Sequence, residues 1–153
     1  MSDSGRETKE KLVLERFKRK LKEHPELEQW YLLRSYVFAR RYTEALALLE
    51  KFPDLINIRN FTGETVLHFL AVENDLEGVA WLHQQGFSLD TATNFGDPVI
   101  FEVAELGYKE LLLWFKNRGA DFDISNRRGQ GLAEYLKCRH NEAMVVFINE
   151  SIT

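Results

Sequence analysis

An all-α fold is predicted, a solenoid of stacked helix-turn-helix units joined by short hairpin-like turns and preceded by an N-terminal capping helix. Three observations predict it. The C-terminal two-thirds of the chain superposes on itself without gaps at an offset of 33 residues: Gly63 falls on Gly96 and Gly129, Gly86 on Gly119, Ala71 on Ala104, Trp81 on Trp114 and Phe147, and Asp90 on Asp123. Within each period, two short stretches carry apolar residues at helical spacing. Glycines recur where those stretches begin and end. A unit of two short helices cannot bury its own apolar face, so it must stack on neighbours. With 153 residues, 44% hydrophobic and 29% charged, the chain suits one such domain over 27–153, after a charged extension over 1–26.

The extension reads as a helix over residues 6 to 24, with Leu14, Phe17 and Leu21 at helical spacing and Pro25 closing the run. Residues 1 to 24 hold eight Lys or Arg against five Asp or Glu, about +3, which leaves about −7 for the remainder. Such a helix either covers the first unit as a solvated cap or serves as a basic arm. Residues 27–60 read as a degenerate capping unit, because Leu46, Leu48 and Leu49 share the register of Val79, Trp81 and Leu82. Pro53 ends its second helix.

The first full unit, 61–93, follows the turn Asn60-Phe61-Thr62-Gly63, in which glycine supplies a positive φ. Thr65 caps a helix running to about Glu73, its hydroxyl placed for the free amide of His68. Asn74-Asp75 breaks that helix, and a second runs from about Leu76 to Gln85 and stops at Gly86. The unit 94–126 repeats the plan, and 127–153 closes the array as a C-terminal cap, with Gly131 in place of the threonine and Arg139-His140-Asn141 at the break. Trp81, Trp114 and Phe147 are expected to be core side chains of the second helices.

Gly63-Glu64-Thr65-Val66-Leu67-His68 resembles the ankyrin signature G-x-T-P-L-H, and Gly119-Ala120-Asp121-Phe122-Asp123 resembles its G-A-D-hydrophobic-N close. Over roughly residues 34 to 150 the chain therefore resembles the ankyrin-repeat family. The signature proline is replaced by Val66, the next unit reads Pro98-Val99, and the signature histidine survives only as His68, with Phe101 and Glu134 at the later positions.

Composition excludes several classes of function. A net charge of −4 argues against nucleic acid as a partner, since that affinity rests on clustered Lys and Arg. The longest apolar run, around Leu111 to Phe115, is too short to span a bilayer, and the N-terminus lacks a signal-peptide core, so no membrane association and a cytoplasmic location are expected. The lone Cys138 agrees with a reducing compartment. No phosphate-cradling glycine loop is found, since Gly129-Gln130-Gly131 lies at a repeat turn. His24, His68, His83 and His140 have no close histidine or cysteine partner beyond the Cys138 and His140 pair, and zinc needs three or four ligands. No metal, no cofactor and no catalytic residues are therefore expected. The resemblance gives His68 a structural hydrogen-bonding role beside Thr65.

What the resemblance implies is protein binding by a free monomer, through the turn tips and first helices of successive units, which form a concave face. Carried through the register, that face holds Phe61, Thr62, Glu64, Val72 and Glu73 in the first full unit. Asn94, Phe95, Asp97, Glu105 and Leu106 follow in the next, then Arg127, Arg128, Gln130, Cys138 and Arg139. Aromatic and acidic residues lead and arginines close, with Phe61 and Phe95 as candidate hot spots. Such a module acts by inhibition, sequestration or scaffolding. Two alternatives accompany it: an immunity protein occluding a cognate toxin, and a two-site assembly scaffold that uses the N-terminal helix for one partner.

Overall fold

The computed structural model describes residues 3–152; Met1, Ser2 and Thr153, the outermost residues of the expected N-terminal extension and C-terminal cap, lie outside them. Nine α-helices occupy the described residues: α1 (Asp3–Glu23), α2 (Pro25–Phe38), α3 (Tyr42–Lys51), α4 (Val66–Val72), α5 (Leu76–Gln84), α6 (Val99–Glu105), α7 (Lys109–Asn117), α8 (Leu132–Cys138) and α9 (Glu142–Ser151), with a 3-10 turn over Pro53–Ile56. The fold is all-α. Helices α2 to α9 form four consecutive pairs, and the first helix of each pair also packs on the first helix of the next.

Local chemistry sets the helix ends. Pro25 opens α2, where a missing amide costs nothing, so α2 starts two residues before the expected boundary at 27. Thr65 caps α4 by accepting from the His68 amide at 3.2 Å, and Asp75 and Asn141 cap α5 and α9 in the same way through Gly78 and Met144. Between the two helices of each pair one residue turns left-handed: Arg40 (φ 63), Asn74 (φ 58), Gly107 (φ 80) and His140 (φ 58). These breaks correct the register of the first pair. Arg40 lies 34 residues before Asn74, where the later spacing is 33, so α3 is shifted by one residue and Leu46 does not match Val79. Leu46 is 43% exposed, whereas its neighbour Ala45 and Val79 are both fully buried.

The core runs along the whole row. Leu27, Trp30, Leu33 and Val37 line the buried face of α2; Val66, Leu67, Leu70 and Ala71 bury most of α4; Val99, Ile100, Phe101, Val103 and Ala104 do so in α6; and Leu132, Tyr135 and Leu136 continue into α8. The short first helices are buried nearly all round because each has neighbours on both sides. Leu111, Leu112 and Phe115 of α7 and Met144, Val145 and Ile148 of α9 close the other face. Trp81, Trp114 and Phe147 depart from expectation: they are half-buried. Each reaches sideways to the adjoining pair, Trp81 stacking on Tyr42 at 5.1 Å, Trp114 meeting His83 edge-on at 5.8 Å, and Phe147 lying under the Lys109 ammonium at 5.3 Å. These three rings bridge pairs along the edge of the core instead of entering it.

The turn tips repeat one hydrogen-bonding plan. Asn60, Thr93 and Asn126 each use a side-chain oxygen to accept from two backbone amides, Thr62 and Glu64, Phe95 and Asp97, and Arg128 and Gln130 respectively. In each tip a glycine, Gly63, Gly96 or Gly129, donates back to the same residue's carbonyl at 3.0 Å. The tips are also laced together. The Asn94 amide donates to Thr62 O at 3.0 Å, Arg59 donates to Ala92 O at 2.6 Å, and the Arg127 guanidinium donates to Asn94 O at 2.5 Å.

Candidate functional site

The last two tips and the end of α8 enclose an open groove of about 590 Å³, lined by Phe95, Asp97, Asn126, Arg127, Arg128, Gln130, Tyr135, Cys138 and Arg139. Its floor is braced from α6. Glu105 accepts from the Tyr135 hydroxyl at 2.5 Å and from Arg139 at 2.8 Å, and the Arg139 guanidinium lies over the Tyr135 ring at 4.5 Å. Burial and the hydrogen bond to Glu105 push the Tyr135 hydroxyl well above the usual tyrosine range, so it stays a donor. Gln130 reaches the Cys138 sulfur at 3.4 Å. Phe95 stands on the rim, 68% exposed.

Seven of the residues expected on a binding face therefore share one groove: Phe95, Asp97, Arg127, Arg128, Gln130, Cys138 and Arg139. Glu105 supports them from below, and Asn94 holds Arg127 through its carbonyl. The other six stand apart. Thr62 and Glu64 are spent within their own tip, the Thr62 hydroxyl donating to Glu64 at 2.6 Å and Asn60 to Glu64 at 3.2 Å. Val72 is half-buried, and its carbonyl accepts from the Tyr108 hydroxyl at 3.1 Å. Glu73 and Leu106 are exposed at the C-terminal ends of α4 and α6.

Phe61 is the clearest departure. Helix α1 lies against it, with the Phe17 ring at 6.5 Å, the His24 ring at 6.2 Å and the Lys20 ammonium 5.1 Å from its ring centre. Phe17 also meets Tyr31 of α2 edge-on at 5.2 Å. Phe61, still 39% exposed, is a contact point for the chain's own helix, so α1 covers part of the face where a hot spot was expected.

A second cluster joins the middle pairs. His68, fully buried, points its Nε2 at the Glu102 carboxylate one pair along, and Glu64 supplies a third ligand-type atom, all within 4.8 Å of one another. Among the described residues this is the group able to hold a metal ion. Its atoms already have work in the fold: Glu64 Oε1 accepts within the tip, and the His68 and Glu102 pair ties α4 to α6. Histidine counting missed this cluster because its carboxylates come from a different helix and a turn. Tyr135 and Asn126 were also missed as groove residues, although the offset from Asn60 to Thr93 to Asn126 marks the last of these as a tip organiser.

No described helix is long and apolar enough to cross a membrane. No protein-family model matches the chain, and the search of curated proteins finds no match.

Proposed function

We propose that this chain is a non-enzymatic protein-binding module of the ankyrin-repeat type, which engages a partner through the groove between its last two turn tips. The observation that carries this reading is the convergence of Phe95, Arg127, Arg128 and Arg139 in one open groove whose floor is fixed by Glu105. An exposed aromatic beside two guanidiniums, Arg127 and Arg139, that hydrogen bonds already hold is the composition of a binding hot spot, since those two side chains have little freedom left to lose on association. The 33-residue spacing of the tips and the Thr65 cap support the family reading. A monomer in the cytoplasm that inhibits, sequesters or scaffolds its partner is the simplest physiological form of this activity, and blocking a cognate toxin is one such case.

The test is affinity capture from the native host with the intact protein beside a Phe95→Ala, Arg128→Ala variant of equal thermal stability. A partner retained by the first and lost by the second supports the groove; the same partner on both rejects it.

A two-site scaffold is the second reading, favoured by α1 itself. Leu12, Val13 and Leu14 are exposed there, while Phe17, Lys20 and Leu21 make the contacts with the rest of the chain. Deleting residues 1 to 24 separates the two: under the scaffold reading one partner is lost and a second is kept.

A further inference from the structure

We infer that the groove takes an acidic peptide segment of the partner, its carboxylates on the tip arginines and an aromatic or large apolar side chain against Phe95. This rests on the binding reading above and specifies the chemistry of what is bound.

The argument begins with unspent donors. Each guanidinium carries five N–H donors in a planar fork. Arg127 donates to Asn94 O and Arg139 to Glu105, while the Arg128 side chain has no hydrogen-bond or ion-pair partner among the described residues. Most of the donors of three clustered arginines are therefore available, and carboxylates match their geometry. Glu105, the acid nearest the floor, already has one oxygen on Tyr135 and the other on Arg139. It does not neutralise Arg127 or Arg128. Asp97 stands on the opposite tip and repels a second acid there, so the acids of the segment lie toward Arg127 and Arg128 and its apolar side chain toward Phe95.

Charge complementarity selects the class of occupant. A basic segment would place its charges against three guanidiniums. A nucleic-acid strand would need its phosphates neutralised along several nucleotides, but the groove includes Asp97 and the chain as a whole carries −4. A short acidic segment needs only the few cations present. Phe95 has no ring partner among the described residues and is open to contact, and burying it supplies apolar area at low entropic cost.

The experiment selects a random-sequence peptide display library on the intact protein, then measures chosen peptides by fluorescence anisotropy. Enrichment of Asp and Glu beside an aromatic residue is expected. Arg128→Glu, at an exposed tip where the fold is undemanding, should weaken those peptides about tenfold or more and turn selection toward Lys and Arg. Bound peptide should also slow maleimide labelling of Cys138, which lines the groove. Enrichment of neutral or basic peptides, affinity unmoved by Arg128→Glu, or preference for a single-stranded oligonucleotide over the peptides would overturn the inference. If no groove-dependent peptide emerges while the capture experiment yields a protein lost from the groove variant, the acidic-segment chemistry falls and the binding reading stands. If both experiments come back empty, both fall.

Discussion

The Arg40 guanidinium grips the Asp75 carboxylate through two hydrogen bonds, of 2.9 and 2.6 Å, across the boundary between the first and second helix pairs. Asp75 is 6% exposed and at the same time caps α5 through the Gly78 amide. Arg40 also reaches Glu77 at 2.8 Å, and this acidic surround holds its guanidinium even more firmly protonated than usual. Replacing Asp75 by Ala strands part of that charge and removes a cap, while the outer side of Arg40 keeps some solvation. A loss of about 2–4 kcal/mol in unfolding free energy is expected from urea denaturation. Asp75→Asn, which keeps a capping oxygen, should fall between; equal stability of Asp75→Asn and wild type would remove the ion pair from the account.

The tips predict unequal tolerance of glycine substitution. Gly63 (φ +88) is so close to the next tip that a Cβ would lie 2.5 Å from the Asn94 amide nitrogen, whereas Gly129 (φ +78) has open space around it. Both positions strain an alanine by about 1 kcal/mol through the left-handed backbone. Gly63→Ala should cost about 1 kcal/mol more, because the Asn94 to Thr62 hydrogen bond must lengthen or break. Thermal melts of the two variants give the comparison, and similar midpoints would refute the close approach of the tips.

Alkaline pH should erode the stability that Tyr135 contributes to the fold. Burial, and then the hydrogen bond to Glu105, raise the Tyr135 hydroxyl above its ordinary value of 10.0. A raised folded-state value means that the unfolded chain loses its proton first as pH rises. The stabilising contribution is thus complete below about pH 10 and disappears as pH climbs through and beyond that range. Tyr135→Phe should be less stable at neutral pH and show a shallower alkaline decline in denaturant midpoint. A parallel decline in both proteins would assign the effect to Tyr31 and Tyr42, which are also raised by burial.

Phe61→Ala should act on α1 more than on a partner. With the ring gone, Phe17 and Lys20 lose their shared contact, and amide exchange across α1 should accelerate while α4 to α9 keep their protection. Unchanged exchange in α1 would mean that Tyr31 alone holds the helix.

The parts of the fold that were legible in the sequence were those written in local order. The breaks at Asn74, the cap at Thr65, the stop near Gly86 and the tip at Gly63 each follow from one residue's backbone preferences or one side chain's reach. The one-residue shift of α3 was not legible, because Arg40 adopts a left-handed turn that its side chain does not advertise and that the Asp75 contact helps to hold. Periodicity placed Trp81, Trp114 and Phe147 on an apolar face but could not tell interior from edge, which depends on how far the adjoining pair extends. In the candidate site, register located the groove arginines and Phe95. It could not foresee that α1 would fold onto Phe61 or that Glu105 would serve as a brace, since both depend on contacts between distant parts of the chain.

The lacing of one tip to the next, and of each first helix to the next, has a kinetic side. Cohesion in such a row passes from neighbour to neighbour, so the terminal pair, α8 with α9, has a partner on one flank only and opens locally before the interior does. The groove is built half from that pair and the tip that leads into it, through Tyr135 and Arg139 and through Arg127 and Arg128. On the proposed binding, a segment seated in the groove would clasp the fraying end, and its affinity and the closure of that terminus would be linked quantities.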